Sequence, residues 1–166
     1  TFRVTPGDEM EITLHNNMPP NTDTSPPVLN TPNEFNSTNL HFHGFHVSPK
    51  GNSDNVYLQI NPGESFNYVV RLPEDHPPGN YWYHPHRHGS VAVQVASGCA
   101  GMMVVQGALD EVPEVAAALE RVMVFQAPVV DTKTDTLDSY NTIWDLASER
   151  FWLINGQYKP RIYMRE

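Results

Sequence analysis

Two His-x-His triplets, His41-Phe42-His43 and His84-Pro85-His86, hold half of the eight histidines in this 166-residue chain. On a β-strand, residues two apart project to the same face. His41 and His43 therefore aim their imidazoles one way, and so do His84 and His86. If the two strands are neighbours, four imidazoles converge on one small volume. Imidazole suits copper, zinc, iron and nickel, and copper(II) is bound most tightly of the divalent series. A set without carboxylate or thiolate argues against magnesium and calcium, which need oxygen ligands. A single buried histidine is usually a hydrogen-bonded core residue, but two such triplets in one short chain are hard to account for that way.

The other histidines rank lower. His46 has the opposite parity to His41 and His43 and should face away. His88 continues the parity of His84 and His86 and could support the ligands from behind. His15 and His76 read as surface or loop residues. Cys99 is the only cysteine, so no intrachain disulfide and no cysteine-based zinc site can form. It reads as a small buried hydrophobe.

The elements that must position these groups read as short strands. Phe2 to Asn17 is strand, turn, strand, with Pro6-Gly7-Asp8 turning the chain and Met10, Ile12 and Leu14 alternating. Residues 16–39 form a long polar loop. Strands follow over Leu40–Val47, Val56–Ile60, Phe66–Leu72, Tyr81–His86 and Gly101–Gln106. Phe66, Tyr68 and Val70 share one face. Between His88 and Gly98 the alternation of Val91, Val93 and Val95 fits a strand or a short helix. Fifteen prolines and ten glycines disfavour long helices, and strands at this spacing predict an all-β sandwich. In the Ala-rich stretch after Ala108, Asp110 could cap a short helix whose first turn accepts Pro113. The predicted organisation is a first domain over 1–107, a linker with a short helix over 108–121, and the incomplete start of a second domain over 122–166. Val122–Phe125, Trp152–Gly156 and Arg161–Met164 read as its strands. Both chain ends read as cuts within something longer.

The formal charge of −9 disfavours nucleic acid and anionic membranes as partners. No run approaches the roughly 18 apolar residues of a membrane helix, and no signal peptide is visible.

Around the triplets, His41-Phe42-His43-Gly44 followed by Gly79-Asn80-Tyr81-Trp82-Tyr83-His84-Pro85-His86 resembles the first two copper motifs of the multicopper oxidases, the laccase and bilirubin-oxidase family. Val4-x-Pro6-Gly7-Asp8 and Ser97-Gly98-Cys99-Ala100-Gly101-Met102 are similar to flanking stretches of that family, and Asn155-Gly156-Gln157 to Arg165 resembles the strand opening its second domain. The resemblance implies a cupredoxin-like Greek-key β-sandwich. It also implies that His41 binds the type 2 copper and that His43, His84 and His86 bind the type 3 pair of a trinuclear cluster. The other four histidines would come from another cupredoxin domain of the same protein. The type 1 copper, which needs a cysteine between two histidines, has no counterpart here, because Pro85 stands between His84 and His86. Asp54, eleven residues after His43, matches an aspartate the family keeps near the cluster; it would hold water and relay protons, or serve only as a turn residue. The implied partners are dioxygen and a small reducing substrate, a phenol or a low-valent metal ion, and the implied location is secreted or periplasmic.

Three rival readings share the triplets. A cupin would carry a glutamate three or four residues after the pair, where this chain has Val47 or Ser48, and Gly89 or Ser90. A histidine-only zinc hydrolase requires an open water site. A non-catalytic copper- or zinc-binding β-sandwich needs only the imidazoles.

Overall fold

The computed structural model describes residues 1–22, 28, 31–131, 136–137 and 150–163. They divide into two compact units, one of residues 1–95 and 99–119, the other of 96–98 and 120–166.

The first unit is built from two β layers. Strand β2 (Glu9–His15) pairs antiparallel with β4 (Ser65–Arg71), Met10 opposite Val70 and Ile12 opposite Tyr68. Alternation in both strands sends Met10, Ile12 and Leu14, and Phe66, Tyr68 and Val70, to one face. The second layer has the order β1-β6-β5-β3, with β1 (Phe2–Val4), β3 (His41–His43), β5 (Gly79–His84) and β6 (Gly101–Val105). Within it β1 runs parallel to β6, while β6 and β3 flank β5 antiparallel. Phe42, Tyr68, Val70 and Met103 are fully buried at the centre. Removing several large side chains from water at about 25 cal/mol per Å² is the main force holding the layers together.

Several predicted strands are shorter or absent. The strand expected over Leu40–Val47 ends at His43, because Gly44 takes a φ of +83° and the Phe45 N–H turns back to the Phe42 carbonyl at 3.2 Å. Val56–Ile60 is no strand. The Asn39 side-chain amide takes the Val56 and Leu58 carbonyls at 2.8 and 3.0 Å, and only Ile60 bridges to Thr38. The strand through His84 stops before Pro85, which has no N–H to give the ladder. The segment at 88–98 contains a helix, α1 (Val91–Ala96), started by the Ser90 and Val91 N–H groups on the Arg87 carbonyl. Gln94 is its one buried residue.

After β6 comes a 3-10 turn over Ala108–Glu111 and then α2 (Pro113–Ala116), with Pro113 in its first turn as expected. Asp110 does not cap α2. Its carboxylate accepts from the Gly107 N–H at 2.8 Å and closes the 3-10 turn, and Val112 is the residue before the helix. In the second unit β7 (Phe125–Gln126), β10 (Leu153–Ile154) and β11 (Gln157–Tyr158) form a small sheet, and β8 (Val130–Asp131) pairs with β9 (Thr136–Leu137). Residues 161–163 are not in a strand, and Met164 lies outside the described residues.

Candidate metal centre

Register decides where the imidazoles go. In the β3–β5 pair His41 lies opposite His84 and His43 opposite Trp82. Opposed residues of an antiparallel pair have Cβ atoms about 4.5–5.5 Å apart. The register of β3 against the end of β5 thus brings His41, His43 and His84 together, with one ring nitrogen of each within 4.8 Å of the others. Ring centroids are 5.6 Å apart for His41 and His43, 5.2 Å for His41 and His84, and 5.5 Å for His43 and His84.

His86 lies past the end of β5 and stands beside that group of three, not within it. Its ring stands 5.0 Å from that of His41 and 6.0 Å from that of His84. Its backbone N–H donates to the Asn39 side-chain oxygen at 2.7 Å. Asn39, 1% exposed, thus joins the 56–58 loop to the second triplet. Sequence reading missed Asn39; its one available signal was a polar residue two before the first triplet.

The ring nitrogens have defined partners. His84 donates from Nδ1 to the Pro85 carbonyl at 2.8 Å, which leaves Nε2 facing the other rings. His43 Nδ1 lies 3.2 Å from that Nε2. The His41 Nδ1–H meets both oxygens of Asp54, at 2.8 and 3.0 Å, and Asp54 Oδ1 also accepts from the Phe42 N–H at 2.9 Å. Asp54 is buried. An ionised carboxylate only accepts hydrogen bonds, so the proton sits on His41 Nδ1 and Nε2 carries the free lone pair. A carboxylate behind an imidazole is the usual device for fixing a metal-binding tautomer. Burial, chiefly, pulls the His84 pKa below its ordinary value, with the three neighbouring imidazoles adding to the effect against the Pro85 hydrogen bond. Neutral imidazole is the form that binds a metal. This all-nitrogen donor set fits copper or zinc.

Trp82 closes one flank, stacked 4.1 Å from the His84 ring and 4.8 Å from the His43 ring. His46 lies past the turn that ends β3 at His43, so strand parity does not place it, and it packs on His76 at 5.2 Å. His76 is no surface residue: it is 2% exposed, its Nε2 accepts from the His46 N–H at 3.1 Å and its Nδ1 donates to the Pro77 carbonyl at 2.9 Å. Both nitrogens are satisfied, and this permits the burial. His88 is exposed. So is Cys99, contrary to its expected place in the core.

Comparison with known proteins bears on the family and the fold. Residues 24–110 match the family model for multicopper oxidases. The multicopper oxidase VdtB of Byssochlamys spectabilis is 32% identical over 127 residues, covering 69% of this chain and 15% of that protein. The iron transport multicopper oxidase FET3 of Gibberella zeae is 31% identical over 109 residues, covering 63% and 14%. A multicopper oxidase from Campylobacter jejuni described as a metallo-oxidase superposes with a TM-score of 0.68 at 27% identity, over 95% of this chain and 29% of that one. The McoA multicopper oxidase 2F4 variant of Aquifex aeolicus shares the fold with a TM-score of 0.67 at 21% identity, covering 95% of this chain and 32% of its own. This chain therefore spans roughly a seventh of the curated relatives' length and under a third of the solved ones'. The first unit is a cupredoxin-like β-sandwich, and the chain belongs to the multicopper oxidase family.

Proposed function

We propose that this chain supplies half the ligands of a trinuclear copper cluster, in an oxidase that couples one-electron oxidation of a reducing substrate to four-electron reduction of dioxygen to water. The observation that carries the reading is the convergence of the imidazoles of His41, His43 and His84, with His86 beside them, on the edge of a multicopper oxidase sandwich. In this reading His41 holds the type 2 copper, and His43, His84 and His86 hold the type 3 pair. Four further histidines come from another cupredoxin domain of the same protein, and residues 122–166 open a second cupredoxin domain after a linker at 108–121. Bound copper supplies one-electron exchange and the affinity for dioxygen.

The chain's own residues do the rest. Asp54 keeps the proton on His41 Nδ1 and presents Nε2. The Pro85 carbonyl does the same for His84. Trp82 covers one side of the two rings it stacks on. Dioxygen reduction consumes protons, and the buried Asp54 carboxylate is the acidic group placed to hand them toward the cluster. The reductant is a phenol or a low-valent metal ion, and the protein is secreted or periplasmic. Among the described residues no helix is long and apolar enough to cross a membrane.

Copper per chain and electron paramagnetic resonance test this reading. The 166-residue chain should bind copper(II) through imidazole nitrogen, show no intense blue absorption, and sustain no oxygen consumption alone. The full-length gene product should reduce oxygen with both a phenol and a metal ion tried as donors. Copper binding that survives loss of His41, His43 and His84 together would sink the assignment. So would sustained turnover by residues 1–166 alone.

A further inference from the structure

His86 is the one histidine of the two triplets that no strand positions. Asn39 fixes its N–H. What fixes the chain on its other side is the next residue. Arg87 is buried although it carries a charge. Its guanidinium pairs with the Glu34 carboxylate, donates to the His88 carbonyl, and reaches Gln59 Oε1 at 3.0 Å and Asn33 Oδ1 at 3.2 Å. Gln59 in turn donates to the same Glu34 oxygen at 3.2 Å. The Arg87 carbonyl accepts the first two N–H groups of the α1 turn. Residue 87 is thus held at both its backbone and its side chain, and three loops meet on it.

Two features show how tightly the cluster is closed. Glu34 adopts a φ of +47°, a conformation that L side chains hold only when their surroundings enforce it. Gly89 has a φ of +107°, and a Cβ there would stand 2.5 Å from Arg87 Nη1 and 2.8 Å from Asn33 Nδ2. The Asn33 N–H donates to the Gly89 carbonyl at 3.0 Å, which ties the Glu34 loop to the turn after His86.

We infer that the Arg87–Glu34 pair is a positioning device for the metal centre, which holds the His86 imidazole at the cluster edge in place of the strand that Pro85 ends. The inference rests on the reading of His86 as a copper ligand. Neither residue touches metal; both act through the backbone of 86–90. A guanidinium suits the task, because its rigid planar fork engages Glu34, Gln59, Asn33 and the His88 carbonyl together and so fixes direction as well as distance.

The test uses the chain with copper(II) alone as the probe, in wild type and in Glu34→Gln, Arg87→Lys and His86→Gln variants. The dissociation constant comes from competition with a chelator, nitrogen coordination from the hyperfine pattern, and the fold from circular dichroism. Glu34→Gln keeps the shape and removes the charge. It should weaken copper binding about tenfold, the scale seen when groups behind a metal ligand are lost, and shift the hyperfine pattern toward that of His86→Gln with the dichroism unchanged. Arg87→Lys keeps the charge, loses the fork, and should do the same. Wild-type affinity and pattern in both clamp variants, beside a weakened His86→Gln, would overturn the clamp and leave the ligand assignment standing. No effect of His86→Gln itself would overturn the ligand assignment and the clamp with it.

Discussion

At the scale of single residues the proposed metal centre depends on where protons sit. The spacing of the triplets was legible because a strand repeats every two residues, which makes His41 and His43 neighbours on one face whatever the rest of the chain does. The position of Asp54 was legible only through family likeness. Its contact with His41 joins residues 13 apart across a turn, and no local pattern announces it. That contact yields a prediction. Asp54→Ala removes the acceptor for both His41 Nδ1 and the Phe42 N–H, so His41 is free to rotate and to change tautomer. Copper affinity should fall about 10–100-fold, measured by chelator competition. Asp54→Asn retains one acceptor oxygen and should lose less. In the full-length protein, however, the Asn variant should still slow oxygen consumption, increasingly as pH rises and protons become scarce. An Ala variant with wild-type affinity would leave Asp54 as a turn residue. His86 was only half legible: its type and spacing stood in the sequence, but Pro85 removed the strand, and Asn39, 47 residues earlier, replaced it.

At the scale of elements, alternation predicted β2 and β4 well because each has one face on the core and one in water. It left 88–98 open between strand and short helix, because Val91, Val93 and Val95 fit either period, and the structure has the helix. The helix is the form in which the Gln94 side chain meets partners far away in sequence. Its amide donates to the Phe35 and Ser37 carbonyls at 2.8 and 2.9 Å, and its oxygen accepts from Thr38 at 2.8 Å. Ser90 adds a bond to the Ser37 carbonyl at 2.7 Å. These contacts tie α1 to the segment that leads into the first triplet. Gln94→Ala takes the amide partner from the Phe35 carbonyl and one of two partners from each of the Ser37 carbonyl and the Thr38 hydroxyl, which keep Ser90 and the Asn39 carbonyl. At roughly 1–3 kcal/mol for an unsatisfied group, with two of the three groups still partnered, the variant should lose about 2 kcal/mol. Urea unfolding of the metal-free protein measures this. A loss below about 1 kcal/mol would mean that the network is already solvated.

At the scale of the whole sandwich, candidate site and core are the two faces of one strand: His41 and His43 project toward His84 on the outer face, and Phe42 between them is fully buried. Copper bound to the outer face should therefore stabilise the whole first unit, by about 2.7 kcal/mol at a free concentration of 100 times the dissociation constant, and a chelator should reverse it. The inner face gives an independent test. Tyr68 is fully buried, and its hydroxyl accepts from the N–H of Leu40, the residue before His41. Burial pushes its pKa up to about 12, with the Asp54 charge adding to the rise and the Leu40 N–H opposing it. The unfolded chain ionises this phenol near pH 10. Below pH 10 both states keep the proton, and Tyr68 contributes its full stability. From pH 10 to about 12 the unfolded chain releases the proton while the folded chain retains it, so stability falls with rising pH. Two pH units correspond to about 2.7 kcal/mol. Tyr68→Phe removes this ionisation but leaves the Leu40 N–H unpaired, at a cost of about 1–3 kcal/mol near neutrality. Other tyrosines and lysines titrate equally in both proteins, so the difference between wild type and variant isolates Tyr68. That difference, read from urea midpoints of the metal-free protein, should favour wild type at pH 9 and shrink or reverse by pH 12. A constant difference across that range would show that the Tyr68 hydroxyl is open to solvent and that the strand carrying the first triplet is not sealed from beneath.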